Sequence, residues 1–159
     1  MSDKIFHYKH NHQIELLLKE FKDSNPQEFM KEMGKWRRSF KVGSYGEFLK
    51  HHYSFKVNGK VGVGYYHQLS GEEVNPHKDE RCLCRINIKL SKDDTNVVID
   101  GEKFKYDCAL LNVSKYEHYV EKCKTETVKT WINNVKEFQR KLETIPKKDI
   151  RRYFMGNNC

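Results

Sequence analysis

The chain has 159 residues, 37% of them apolar and 33% charged, with a net charge of +8. That length suits one domain with one core. Nine Phe, nine Tyr and two Trp are too many for a disordered chain. No stretch approaches the ~20 apolar residues of a membrane span, and the N-terminus has no apolar signal region. The five cysteines are therefore expected to be reduced thiols of a cytoplasmic protein. Cys82-x-Cys84 has the wrong spacing for a zinc ribbon, and no second pair stands at a ribbon distance. The positive balance fits either an anionic partner or a Lys-rich soluble surface.

Ile14, Leu17, Leu18 and Phe21 recur at helical spacing and predict an amphipathic helix. In "SNPQEFMKEMG", Asn25 can cap, Pro26 suits a first turn and Gly34 can stop a second helix, with Phe29, Met30 and Met33 facing inward. The period then changes. "FKVNGKVGVGYY" places Asn58-Gly59 between runs rich in Val and aromatics, which predicts a hairpin. "RCLCRINIKL" alternates, with Cys84, Ile86, Ile88 and Leu90 on one face and Arg85, Asn87 and Lys89 on the other. "SKDDTN" reads as a loop. "VVIDGEKFKY" carries an Asp100-Gly101 turn, and "CALLNVS", "HYVE" and "ETVKTWI" read as strands. Trp131, Val135, Phe138, Leu142 and Ile145 return to helical spacing, with Asn133 or Asn134 as cap and Pro146 beyond.

Helices, then many short strands joined by turns, then a helix indicate an α+β chain, or a small β-sandwich or barrel braced by helices. No helix separates successive strands, which argues against a parallel sheet. The expected organisation is a single domain over 1–159. Residues 1–50 give helical support, 53–132 the β core, and 133–159 a C-terminal helix with a basic tail.

His77 and Asp79 stand two apart, a spacing that puts two side chains of a strand on one face. His118, just after the apolar run "CALLNV", is the candidate for a third ligand. Two imidazoles and a carboxylate form a facial triad suited to non-haem Fe(II), with positions left open for other ligands. His-x-Asp also arises by chance in a chain with eight histidines, so the spacing alone leaves an ordinary polar turn as the alternative. The other histidines point elsewhere. "FHYKHNH" (His7, His10, His12) reads as a polar N-terminal segment, His51-His52 as exposed or capping, and His67 as packing near the core.

The ordered blocks "GYYHQLSGEEVNPHKDE", "CRINIKL", "VVIDGEKFKY", "ALLNVSKYEHYVE" and "ETVKTWI", over about residues 60–132, resemble the 2-oxoglutarate and Fe(II)-dependent oxygenases. The likeness is to their small prolyl- and aspartyl-hydroxylase-like branch. It implies a double-stranded β-helix, or jelly-roll, core with N-terminal and C-terminal helices packed outside. It further implies that His77, Asp79 and His118 hold Fe(II), that 2-oxoglutarate and O₂ are co-substrates, and that the reaction is a hydroxylation. A carboxylate as third ligand speaks against halogenation. Where this family has an arginine for the far carboxylate of 2-oxoglutarate, this chain has Lys129, a point charge in place of a bidentate fork. Either Lys129 or Arg85 serves, or the pocket is degenerate. Tyr66 and Gln68 sit where the family places further cofactor contacts, and Asn112 and Ser114 are weaker candidates.

The resemblance leaves the primary substrate as a protein side chain or a small molecule. It does not extend to the second downstream arginine of the nucleic-acid dealkylating branch. The alternative is a non-catalytic or nucleic-acid-binding protein on the same jelly roll, carried by "KWRRSFK" (35–41) and "KKDIRRYF" (147–154), where cations alternate with aromatics.

Overall fold

A computed structural model describes residues 3–7, 9–32, 36–57, 61–79 and 82–135. Eleven strands and two helices occupy them. A short N-terminal strand, β1 (Ile5–His7), precedes helix α1 (Ile14–Asp23). A 3₁₀ turn (Pro26–Glu28), β2 (Met30–Glu32), β3 (Trp36–Ser39) and helix α2 (Ser44–Val57) follow. Then come β4 (Val61–Gln68), β5 (Val74–His77), β6 (Cys82–Lys89) and β7 (Val97–Ile99). The described chain closes with β8 (Glu102–Phe104), β9 (Cys108–Leu111), β10 (His118–Val120) and β11 (Thr127–Val135).

All pairings are antiparallel. They build a seven-stranded sheet in the order β1-β9-β6-β11-β4-β3-β2 and a four-stranded sheet in the order β5-β10-β7-β8. The arrangement is the expected jelly-roll sandwich with helices outside. Alternation assigns the faces. Val63, Tyr65, Ile86, Ile88, Leu110, Val128 and Ile132 pack with Leu17 and Phe21 of α1 and Leu49 and Tyr53 of α2. Ala109 and Leu111 turn the other way, toward Val97 and Ile99 of the small sheet. Arg85, Asn87, Lys89, Lys129, Trp131 and Tyr66 therefore share the face between the sheets, as the alternation in "CRINIKL" requires. The N-terminal turn of α2 leaves backbone donors without helical acceptors. The carboxylate of Glu20 on α1 accepts from the N–H groups of Tyr45 (2.9 Å) and Gly46 (3.2 Å), so the two helices lock each other.

The Asp100-Gly101 turn joins β7 to β8, with φ of 52° and 78°. Positive φ at both positions is the type I′ geometry that matches strand twist. Three local expectations differ. The helix foreseen from Pro26 stops after one 3₁₀ turn. Phe29 is extended (ψ 143°) and buries its ring edge-on to Phe21 (5.6 Å), and β2 pairs with β3. Met30, expected inside, is 53% exposed on this edge strand, and Met33 lies outside the described residues. Phe55 to Val57, foreseen as a hairpin arm, form the last turn of α2; Asn58 and Gly59 lie outside the described residues. Helical spacing from Trp131 gives way to strand pairing. β11 runs to Val135 between β4 and β6, so Asn133 and Asn134 are strand residues and not caps. The rest of the foreseen helix (Phe138, Leu142, Ile145) and the basic tail lie outside the described residues. Among the described residues no helix is long and apolar enough to cross a membrane.

Candidate metal centre and anion pocket

The antiparallel pairing of β5 with β10 places His77 opposite His118, with ring centroids 4.4 Å apart. Asp79 lies two residues past the end of β5, where its N–H donates to the carbonyl of Val113 (3.0 Å). Its Oδ1 is 3.1 Å from His77 Nε2 and 3.6 Å from His118 Nε2. One ligand atom from each of the three side chains falls within 4.8 Å of the others. The three residues picked from spacing and resemblance are thus brought together.

The surroundings fix how these groups are presented. His77 Nδ1 faces the carbonyl of Asn75 (2.6 Å), and His118 Nδ1 faces the carbonyl of Tyr116 (3.1 Å). A carbonyl can only accept, so each ring carries a proton on Nδ1; His118 then turns an Nε2 lone pair inward, while His77 Nε2 holds, toward the ionised Asp79, a proton that a metal would replace. Metal-binding histidines use this arrangement. His118 Nε2 is buried and has no hydrogen-bond partner among the described residues. Burial, reinforced by the neighbouring His77 against the pull of Asp79, pushes His118 down to about 4, so it is neutral at pH 7. The bond to Asp79 raises His77 in spite of its burial. Burial would lift Asp79, but the Arg85 guanidinium and the His77 bond outweigh it and hold the carboxyl at about 2. A neutral imidazole, an ionised carboxylate and a buried orphan nitrogen fit a divalent metal.

A narrow cavity between the sheets connects this cluster to the remaining candidates. His77, His118, Tyr66, Gln68, Arg85 and Lys129 all line it. Lys129 is 6% exposed, and its Nζ lies 5.6 Å from the Tyr66 ring centroid. No carboxylate lies within ion-pair distance of it among the described residues. Burial, with the positive charges of Lys89 and Arg85, pushes Lys129 down to about 7. Arg85 is already engaged. Its Nη2 donates to Asp79 Oδ2 (2.6 Å), its Nε donates to Asn133 Oδ1 (2.7 Å), and its guanidinium lies 5.1 Å from the Tyr66 ring centroid. Gln68 donates its amide N–H groups to the carbonyls of Glu72 (2.9 Å) and Glu121 (3.2 Å). It lines the cavity and has only its oxygen left to offer. Burial pushes the Tyr66 hydroxyl up to about 12, so Tyr66 enters as a neutral phenol.

The weaker candidates lie elsewhere. Asn112 donates to the carbonyl of Asp3 (3.1 Å) and anchors the N-terminus, and Ser114 lies in the turn before β10. His67, by contrast, also borders the cavity; its ring packs edge-on to Phe21 (5.2 Å), with Glu126 3.1 Å from its Nε2. His12 is bonded to the Tyr53 hydroxyl (2.8 Å) and stacked on His10, which ties the segment read as polar into the helical layer. Arg37 is bound to Glu72 (2.6 Å), so this cation of "KWRRSFK" is already paired; Lys35 lies outside the described residues.

Three further residues shape the site. Asn133 holds Arg85. Lys89 pairs across strands with Lys129 and is itself bonded to Asp93 (3.1 Å). Trp36 lines the cavity and packs edge-on to Tyr66 (4.9 Å). The signal for Lys89 was present, since it shares the alternating face of Arg85. Asn133 is hidden in the sequence by the helical spacing that runs from Trp131.

No protein-family model and no curated protein matches the sequence. Solved structures do match. A prolyl-4-hydroxylase from Pseudomonas putida superposes with a TM-score of 0.64 at 10% identity, covering 82% of this chain and 91% of that one. An RmlC-like cupin from Shewanella frigidimarina NCIMB 400 gives 0.45 at 12% identity, over 67% of this chain and 81% of that one. A salicylate 1,2-dioxygenase from Pseudoaminobacter salicylatoxidans gives 0.47 at 9% identity, over 82% of this chain and 32% of that one. At such identities the likeness bears on architecture alone, and on that level this chain shares the jelly-roll fold of the prolyl-4-hydroxylase structure.

Proposed function

We propose that the protein is a 2-oxoglutarate- and Fe(II)-dependent oxygenase that hydroxylates a protein side chain or a small molecule. The observation that carries this reading is a single cavity lined by the two imidazoles of the His/Asp/His cluster and by a buried lysine without a carboxylate partner among the described residues. His77, Asp79 and His118 would hold the iron. Lys129 would meet the far carboxylate of 2-oxoglutarate, since Arg85 has two of its donor nitrogens committed to Asp79 and Asn133. When bound, iron and 2-oxoglutarate supply the oxidising chemistry, in which O₂ converts 2-oxoglutarate to succinate and CO₂ and one oxygen atom goes to the substrate.

The chain's own residues do the rest. The two backbone carbonyls orient the imidazoles. Tyr66 and Trp36 cover one side of the cavity with aromatic surface and exclude water from it. Lys129 and Arg85 make the interior positive, which favours a dianionic co-substrate. The departure from an arginine costs geometric control of the carboxylate and keeps its charge.

The test is slow formation of succinate from 2-oxoglutarate by the iron-loaded protein without added substrate. His77→Ala is expected to lower it at least ~100-fold, the upper range for losing a metal-site interaction. Equal succinate from both proteins would exclude the proposed site.

A further inference from the structure

Asp79 presents its two oxygens to different partners. Oδ1 faces both imidazoles, at 3.1 Å and 3.6 Å. Oδ2 accepts a short, charge-assisted bond from Arg85 Nη2 at 2.6 Å. Arg85 is 9% exposed and cannot follow the carboxylate if it turns. Its Nε is tied to Asn133 on β11 (2.7 Å), and the Tyr66 ring lies 5.1 Å from its guanidinium. The backbone of Asp79 is held as well, through Val113. Asp79 is therefore held at two points, Oδ2 and its backbone N–H, and has Oδ1, on the side of the imidazoles, to give.

We infer that Arg85 is a positioning residue that restricts Asp79 to ligation through a single oxygen. This rests on the reading of the triad as a metal site. A carboxylate that is free to rotate can chelate a metal with both oxygens and so fill a coordination position. With Oδ2 held by Arg85, two imidazoles and one oxygen occupy three positions. The remainder stay open for an exogenous ligand that binds through two atoms. The geometry of the arginine fork matters as well as its charge, because one guanidinium satisfies Asn133 and Asp79 together and a lysine ammonium has no such fork.

The experiment uses the full chain loaded with Co(II), whose visible bands report coordination without turnover, and oxalate as the two-atom probe. The wild type is expected to bind Co(II) and to shift its bands on addition of oxalate. Arg85→Gln is expected to keep Co(II) binding, to show altered bands before any oxalate is added, and to bind oxalate about tenfold more weakly, in the usual range for a partner of a ligand. Asn133→Ala keeps the guanidinium but removes its brace, and is expected to move both readouts in the same direction by less. Bands and oxalate affinity unchanged in Arg85→Gln overturn the inference. If that variant does not fold, unchanged behaviour of Asn133→Ala overturns it. A wild type that binds no Co(II) removes the metal reading and this inference with it. A wild type that binds Co(II) beside variants indistinguishable from it removes only the role of Arg85.

Discussion

Lys129 concentrates the cost and the use of the site in one side chain. A lysine pushed down to about 7 favours the neutral form in the folded state. The unfolded chain takes up its proton below about 10.4. Between those values the unfolded state binds more protons, so this residue's penalty is full below pH 7 and fades as pH rises toward 10.4. Lys129→Met is expected to raise the melting temperature at pH 7. The same change should weaken 2-oxoglutarate binding by about 10–100-fold, the worth of a charge-assisted bond of ~1.5–3 kcal/mol. Above pH 7 the wild type should take up a proton as it binds the dianion, seen as a buffer-dependent heat in calorimetry, and Lys129→Met should not. A variant with unchanged affinity and no proton uptake in the wild type would remove Lys129 as the anion anchor. At this scale much was readable beforehand. His77 and Asp79 were marked by spacing, His118 by its place after an apolar run, and Lys129 by resemblance. The bonds from Arg85 to Asp79 and Asn133 were not, because they join residues 6 and 48 positions apart and depend on strand register.

Among the elements, β5 and β10 bring the ligands together and β4 leaves room for the wall behind them. A Cβ at Gly64 would stand 2.1 Å from the Ser39 carbonyl oxygen and 2.4 Å from the Trp131 ring. Neither the strand backbone nor the buried indole can yield cheaply, so Gly64→Ala should cost about 1–3 kcal/mol, as overpacking does. Denaturant melts check this, and a cost within error of zero would show that β3 or Trp131 can move. The strands bounded by clear turns were legible in the sequence, above all β7 and β8 around Asp100-Gly101, where local geometry decides. Segments whose partners lie far away were not. β3 takes strand form by pairing onto β4 and β2 by pairing onto β3, and β11 is held on both sides by β4 and β6. There, tertiary pairing overrides a helical spacing that a short run of Trp131, Val135 and their neighbours cannot secure.

For the whole molecule, stability should depend on pH through groups buried for the site and for the helical layer. His118 and His12 are both held at about 4 by burial, against about 6.5 in the unfolded chain. As pH falls through that window the unfolded state takes up protons that the folded state refuses. Stability is expected to drop from pH 6.5 toward 4, and further below 3.8 as the charge of Asp79 is lost. A divalent metal binds only the deprotonated ligands. Metal at about 100 times its dissociation constant should add ~2.7 kcal/mol near pH 7, and this gain should vanish by pH 4. Melts across pH with and without Co(II) check both statements, and a metal effect independent of pH would place the ion elsewhere. The sandwich, the helices outside it and a positive interior were visible in the sequence as alternation and charge. The chemistry of the primary substrate was not, because the cavity holds no side-chain pattern beyond that for a metal and an anion. The central claim, that one cavity takes Fe(II) and 2-oxoglutarate together, is tested most directly by anaerobic titration of the Fe(II)-loaded protein with 2-oxoglutarate. The expected result is a visible charge-transfer band that saturates with one 2-oxoglutarate per iron and is lost in His118→Ala. Iron bound at His77, Asp79 and His118 with no band at saturating 2-oxoglutarate would contradict it.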